Sequence, residues 1–110
     1  MNLHIETESA DRGLVSHVMG SRSIAVGQET LLTDGVSIQY NGSVIQKQFG
    51  VAEIAEFIVT FSSGVAASLV ASALYEKFRG RTHRIRIDRM EVRLDKGEIE
   101  RVIVERIEKS

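Results

Sequence analysis

Few side chains in this chain have the types and spacing that chemistry requires. Its three histidines, His4, His17 and His83, lie far apart and lack the i, i+4 spacing that brings two imidazoles to one metal ion. The absence of cysteine excludes disulfides, thiolate metal sites and cysteine nucleophiles. No glycine-rich phosphate loop or nucleophile-elbow motif occurs. We therefore predict no catalytic, cofactor-binding or metal-binding residues.

Two short patterns come closest to an active site. Ser62-Ser63-Gly64 lies in an apolar segment without a neighbouring base that could activate a serine hydroxyl. Asp88 followed by Glu91-Val92-Arg93 is similar to a metal-dependent nuclease pattern, but such a site needs a lysine in the last place and further acids. Surface charges of a hairpin explain this second pattern better, so we predict that the chain is not an enzyme.

The clearest charged feature is a basic segment. Residues 77–93 contain seven basic and two acidic side chains, a net charge of +5. Such a segment could contact phosphates, lipid headgroups or an acidic partner. Only Tyr75 and Phe78 lie nearby to stack on bases, which disfavours nucleic acid. The alternative is a solvated strand face balanced by acids of the last helix. The candidate basic patch comprises Lys77, Arg79, Arg81, Arg84 and Arg86.

Length and composition define the class of protein. The chain has 110 residues, 43% hydrophobic and 26% charged, with a formal net charge of −1. These values are typical of a single small globular domain, which we predict over residues 1–110. The opening residues show neither the basic nor the apolar region of a secretion signal, so a cytoplasmic location is expected.

Periodicity and turn signals predict the elements of the first half. Alternation predicts a strand at 3–7, and apolar residues at helical spacing predict a short helix within 11–19. A further strand is predicted at 23–26. Asp34-Gly35 and Asn41-Gly42 are strong turn signals, so residues 35–49 are predicted to form a hairpin whose two-residue loop is Asn41-Gly42.

Residues 82–109 predict a hairpin followed by a helix. Strands at 82–88 and 90–95 are joined by Asp88-Arg89, with Met90, Val92 and Leu94 facing inward on the second strand. A helix over 97–109 follows, and Asp95 with Glu98 forms a capping-box pattern at its start.

A long central helix is predicted between these two parts. Residues 51–79 have acids near the start and bases near the end, and Gly80 suits a C-terminal cap, although a break near Ser62-Ser63-Gly64 is plausible at this length. The predicted fold is therefore α+β: a small sheet of β-hairpins, a long central helix rich in small residues, and a C-terminal helix.

Residues 57–75 contain no charge over nineteen positions. This length could cross a membrane, but the segment is rich in serine and alanine, and only eight residues are Leu, Ile, Phe or Val. The alternative is a helix buried by protein on all sides, which favours a homo-oligomer in so short a chain. Small residues at i, i+4 spacing predict close helix packing, either on a second copy or on the chain's own sheet. The candidate interface comprises Gly64, Ser68 and Ser72, with Ala67 and Ala71 beside them.

The last sixty residues resemble a known family. SSGVAASLVASALYEKFRGR and HRIRIDRMEVRLDKGEIERVI resemble the small effector-associated constant-component domains encoded in bacterial conflict and immune systems. The chain departs from that family in lacking its tryptophans and the Pro-Gly-rich connection before the long helix. The resemblance implies an adaptor that couples partners in a defence system without chemistry of its own, and it assigns no functional residue.

Three functions fit these observations. The leading hypothesis is a non-enzymatic protein-interaction adaptor that self-associates through residues 57–75 and binds an unidentified protein partner. The second is a small membrane-associated or membrane-active protein at the inner membrane, which inserts that segment and places its arginines on anionic lipid. The third is a small phage-encoded inhibitor of a host defence complex.

Overall fold

The computed structural model describes residues 1–11, 13–46, 52–82 and 84–109, and its strands form one antiparallel sheet of six. The strand order is β2-β3-β4-β1-β5-β6. The α+β class predicted from the sequence is confirmed. In chain order the elements are β1 (Asn2–Ser9), α1 (Leu14–Met19), β2 (Glu29–Thr33), β3 (Val36–Gln46), β4 (Ala52–Phe61), α2 (Ala67–Phe78), β5 (Arg84–Ile87), β6 (Met90–Arg93) and α3 (Lys96–Lys109).

One face of the sheet is covered by the helices. Inward side chains of the strands alternate with outward ones, as antiparallel sheets with one solvated face do. The inward set forms one cluster with the buried faces of α1, α2 and α3. Phe57 lies at its centre, with ring centroids 5.9 Å from Tyr40 and 5.7 Å from Phe78. Helix α2 lies between α1 and α3, because it contacts both.

The predicted long central helix is wrong. Residues 52–61 form strand β4, which pairs with β1 on one side and with β3 on the other, and only residues 67–78 are helical. The predicted break near Ser62-Ser63-Gly64 is in the right place, because this segment is the turn between β4 and α2. Strand β4 alternates with period two: Ala55, Phe57, Val59 and Phe61 are buried.

The predicted hairpin at 35–49 is also wrong. Asp34-Gly35 does form a tight turn, joining β2 to β3. Asn41-Gly42 does not reverse the chain, because Val36–Gln46 is one continuous strand. From Tyr40 to Ser43 strand β3 advances by three residues, whereas its partner β4 advances by two, from Phe57 to Ala55. Asn41-Gly42 therefore forms a β-bulge, in which Gly42 has a φ of 110°. Residues 47–49 lie outside the described chain, and the strand expected at 23–26 lies instead at 29–33.

The C-terminal prediction is largely confirmed. Strands β5 and β6 form a hairpin with Asp88-Arg89 as its loop, and both residues have positive φ, as a type I′ turn requires. Met90 lies on the same face as the buried Val92, as predicted, but it is 44% exposed because it lies at the end of an edge strand. Asp95 caps α3, since its carboxylate accepts the N–H of Glu98 at 3.1 Å.

Candidate functional site

The small residues singled out in the sequence do not form one continuous stripe. Gly64 lies in the turn before α2, so it cannot continue a helical row, and this part of the interface hypothesis is wrong. Ala71 is fully buried in the chain's own core, and Ala67 packs against that core. Ser68 is exposed, and Ser72 lines a groove. Whether Ser68 and Ser72 contact a partner stays a prediction.

The groove lies between α1, β2 and the outward face of α2, and we call it the α1–α2 groove. Its volume is about 430 Å³. Five of its residues come from α2 and follow the i, i+3, i+4, i+7, i+8 spacing of one helix face. Leu69, at one end of this row, is 43% exposed. The lining residues are His17, Leu32, Thr33, Leu69, Ser72, Ala73, Glu76 and Lys77.

The groove is apolar at one end and basic at the other. The pKa of His17 is lowered by burial and then by the positive charges of Arg81 and Lys77. The one carboxylate among the lining residues, Glu76, is in an ion pair with Arg79 at 3.4 Å. The lowered pKa keeps the imidazole of His17 mostly neutral at pH 7, so Lys77 is the cationic residue among those that line this end of the groove.

The predicted basic patch is divided between two faces of the molecule. Lys77 lies in the groove on the helix side, whereas Arg84 and Arg86 project from the uncovered face of the sheet. The acids that balance the arginines come from α2, β1, β6 and the segment before α1, rather than from the last helix as predicted. The ion pairs are Arg79–Glu76 at 3.4 Å, Arg81–Asp11 at 2.8 Å, Arg84–Glu91 at 3.2 Å and Arg86–Glu6 at 3.2 Å.

A second depression lies on the uncovered sheet face, where β1 and β5 separate. This cleft has a volume of about 350 Å³ and is lined by the ion-paired residues Glu6, Arg84, Arg86 and Glu91, among others. The backbone ladder between β1 and β5 is described only from Ile5 to Thr7. Beyond it, hydroxyl groups join the two segments: Ser9 donates to the carbonyl of Arg81 at 2.7 Å, and Thr82 Oγ1 lies 3.1 Å from the carbonyl of Glu8. The cleft walls are therefore held together by their own polar groups.

The residues considered for catalysis serve structural contacts. Asp88 accepts the N–H of His4 at 2.9 Å and forms an ion pair with Arg106, whereas Glu91 pairs with Arg84. His4 lies 3.7 Å from a carboxylate oxygen of Glu56. His83 lies outside the described residues. Among residues 1–11, 13–46, 52–82 and 84–109, no three His, Cys, Asp or Glu side chains are placed to hold a metal ion.

The uncovered sheet face also has an apolar half. Leu31 and Val44 are 67% and 65% exposed. Ile54 lies opposite Val44 in the register of β3 and β4, and both Ile54 and Ile58 are half-buried on this face. This apolar half does not follow from the predicted elements, because the predicted long helix includes the residues of β4.

The groove residues His17, Leu32 and Leu69 were also missed. The sequence could have placed His17 on the surface, because the apolar residues at helical spacing within 11–19 face inward and leave His17 on the outer side of the predicted helix. For Leu69 the signal was its i, i+3, i+4 relation to Ser72 and Ala73. Leu32 had no local signal, because only the sheet pairing brings β2 beside α2.

No protein-family model, no curated protein and no solved structure matches this chain. Within the described part of the chain, no helix has both the length and the apolarity needed to cross a membrane.

Proposed function

We propose that the protein is a non-enzymatic interaction module that binds a second copy of itself through the α1–α2 groove. One observation carries the proposal: the outward face of α2 combines the exposed Leu69 with the small side chains of Ser72 and Ala73. Small side chains let another helix approach closely, and an exposed leucine provides apolar area to bury. This proposal keeps the self-association expected from the sequence and moves its location to the groove.

The charged residues support binding rather than catalysis. Glu6, Arg84, Arg86 and Glu91 line the charged cleft, and each is already in an ion pair within the chain. These ion pairs give the charged groups of the cleft a structural role within the chain. The groove on the other face has only one carboxylate among its lining residues, and that carboxylate pairs with Arg79.

The proposed biological role is that of an adaptor in a bacterial defence system. The resemblance of the last sixty residues to effector-associated constant-component domains supports this role. An adaptor needs a second surface, and a dimer formed through the helices would leave the uncovered sheet face accessible to a protein partner. The apolar half of that face, with Leu31 and Val44, is the part on which we expect such a partner.

Size-exclusion chromatography with light scattering tests the self-association. We expect the full chain, of 12.2 kDa, to elute at about twice that mass and to dissociate on dilution. Leu69→Lys places a charge in the groove and is expected to give a monomer. Leu31→Lys is the matched control, because it changes an exposed leucine that projects from the opposite face of the sheet. A wild-type protein that stays at 12.2 kDa at every concentration would overturn the proposal.

A further inference from the structure

The β-bulge of strand β3 presents an Asn-Gly pair at the surface. Asn41 is exposed and Gly42 is half-buried. The register of β3 with β4 passes from Tyr40 to Ser43, so neither residue of the bulge has a directly opposite partner. Gly42 has a φ of 110°, a conformation that glycine adopts readily and other residues rarely do. The bulge therefore holds this pair outside the regular pairing of the sheet.

The side chain of Asn41 has no partner that fixes its position. Within the described part of the chain, its amide group forms no hydrogen bond. The surroundings of Gly42 are also open: a Cβ atom added there would meet only Cγ2 of Val26, at 4.0 Å. Val26 is itself 68% exposed. The amide group of Asn41 and the backbone nitrogen of Gly42 therefore lie side by side in a solvated, loosely packed place.

The geometry points to Asn41 as a site of spontaneous deamidation in the folded protein. The backbone nitrogen of Gly42 gives up its proton to solvent and bonds to Cγ of Asn41. The bond from Cγ to the side-chain nitrogen then breaks, and that nitrogen takes up a proton from water and leaves as ammonia. Because glycine has no Cβ, nothing hinders the approach of its nitrogen.

Water completes the reaction. It opens the five-membered cyclic imide left by the first step, at either of two carbonyl groups. Addition at the side-chain carbonyl gives aspartate, and addition at the main-chain carbonyl gives isoaspartate. The net change consumes one water and releases one ammonia, and nothing is oxidised or reduced. The reaction therefore needs no enzyme and no cofactor.

The other asparagine of the chain provides an internal comparison. Asn2 lies in strand β1, and its side-chain oxygen accepts the hydroxyl of Thr60 at 3.1 Å. It is followed by Leu3, a fully buried residue with a bulky side chain. Asn2 also has a directly opposite partner in β4, which is Thr60 again. Asn2 therefore lacks each feature that favours the reaction at Asn41.

Isoaspartate would disturb the sheet beyond the bulge. It adds one carbon atom to the main chain of β3, whereas aspartate leaves the length of the main chain unchanged. Because β4 pairs with β3 both before and after the bulge, the added atom cannot fit the register on both sides. We expect the pairing of residues 43–46 with β4 to weaken. This segment includes Val44, in the apolar half of the uncovered sheet face.

Peptide mapping by mass spectrometry tests the inference on the full chain, incubated at mildly alkaline pH with and without urea. Deamidation makes a peptide about one mass unit heavier. In the folded protein Asn41 should react at a rate within about tenfold of that in urea, and at least about tenfold faster than Asn2. Asn41→Gln is the matched control and should remove the signal. An Asn41 that the fold protects more than about tenfold, or that reacts no faster than Asn2, would overturn the inference.

Thermal melts followed by circular dichroism test the effect on β3. Fractions of the incubated protein enriched in isoaspartate should melt at a lower temperature than fresh protein. Asn41→Asp adds the charge without the main-chain carbon, so it should melt within about 2 °C of the fresh wild type. Equal Tm values for all three samples would overturn the effect on the sheet while leaving the modification site intact.

Discussion

Replacing Ala71 with leucine separates the observed arrangement of residues 57–75 from the predicted long helix. In the structure Ala71 is fully buried, on the side of α2 that faces the sheet. Ala71→Leu therefore adds three carbon atoms to a filled core. On a helix whose small residues faced a second copy, the same change would instead disturb the oligomer and leave the stability of the monomer unchanged.

The expected loss of stability follows from the position of Ala71 in the core. Overpacking a well-packed core costs about 1–3 kcal/mol. The entropy of unfolding of a 110-residue chain is about 0.23 kcal/mol/K, since each residue contributes about 2.1 cal/mol/K. Ala71→Leu should therefore lower Tm by about 4–13 °C. Ser68→Leu, one turn away on the exposed side of α2, should change the free energy of unfolding by less than about 0.5 kcal/mol, or about 2 °C.

Differential scanning calorimetry and light scattering on the two variants provide the assay. The structure requires a large fall in Tm for Ala71→Leu and nearly none for Ser68→Leu. Equal Tm values for the two variants, with a change of oligomeric mass only in Ala71→Leu, would refute the reasoning. That result would place Ala71 at an interface rather than in the core.

Three further changes probe local features. Arg89→Gly should raise the free energy of unfolding by up to about 1 kcal/mol in urea titrations, because φ is 73° there, whereas Arg93→Gly in strand β6 should lower it. The pKa of Asp11 is lowered below 3.8 by the backbone N–H of Gly13 and by the paired Arg81, so this carboxylate stabilises the fold above pH 3.8. The stabilisation is lost as pH falls through the lower folded pKa. In thermal melts, Asp11→Asn should therefore weaken the dependence of Tm on pH between pH 2 and 5. The pKa of His17 is lowered below 6.5, so between the folded pKa and about 6.5 the unfolded chain binds more protons than the folded one, and the free energy of unfolding rises with pH. In urea titrations, His17→Gln should remove this rise of the free energy of unfolding with pH.

The sequence predicts well the elements whose signals are local. Strand β1, helix α1, the β5–β6 hairpin and helix α3 all follow from periodicity and from turn or cap residues within a few positions. The type I′ turn at Asp88-Arg89 needs only a spacing of two residues between strands. The cap at Asp95 needs only an acceptor side chain before the first helical turn.

The central elements could not be predicted because their signals depend on distant pairing. Strand β4 lies between β3 and β1, so its pairing partners are distant in sequence, and the apolar Ile54 and Ile58 on its uncovered face blur its alternation. A short apolar run of this kind cannot be distinguished from a buried helix by periodicity alone. Asn41-Gly42 is a strong turn signal because Gly42 readily adopts a positive φ. A β-bulge also uses that conformation, and here β4 pairs with β3 both before and after Asn41-Gly42, so the chain does not turn.

The candidate site was predictable only in part, because charge balance is a property of the fold. The basic run at 77–93 has a net charge of +5 in the sequence. Glu6 and Asp11 lie some seventy or more residues before the arginines that they neutralise, Arg86 and Arg81. The sequence offered no reason to prefer these acids over those of α3. Lys77 differs from Arg84 and Arg86 in that it lines the groove, on the other face of the molecule.

The small residues of α2 show why composition alone could not locate an interface. Ala71 faces the sheet, and its small side chain sets how closely α2 can approach its own core. Ser72 and Ala73 are the next two residues, but they project into the groove, where small side chains would let a different helix approach just as closely. Both roles select the same residue types, and the rotation of the helix about its axis assigns each residue to one of them. An interface mutation in α2 is therefore informative at groove-lining positions such as 69, 72, 73 and 77, because a substitution at the buried positions changes folding before it changes binding.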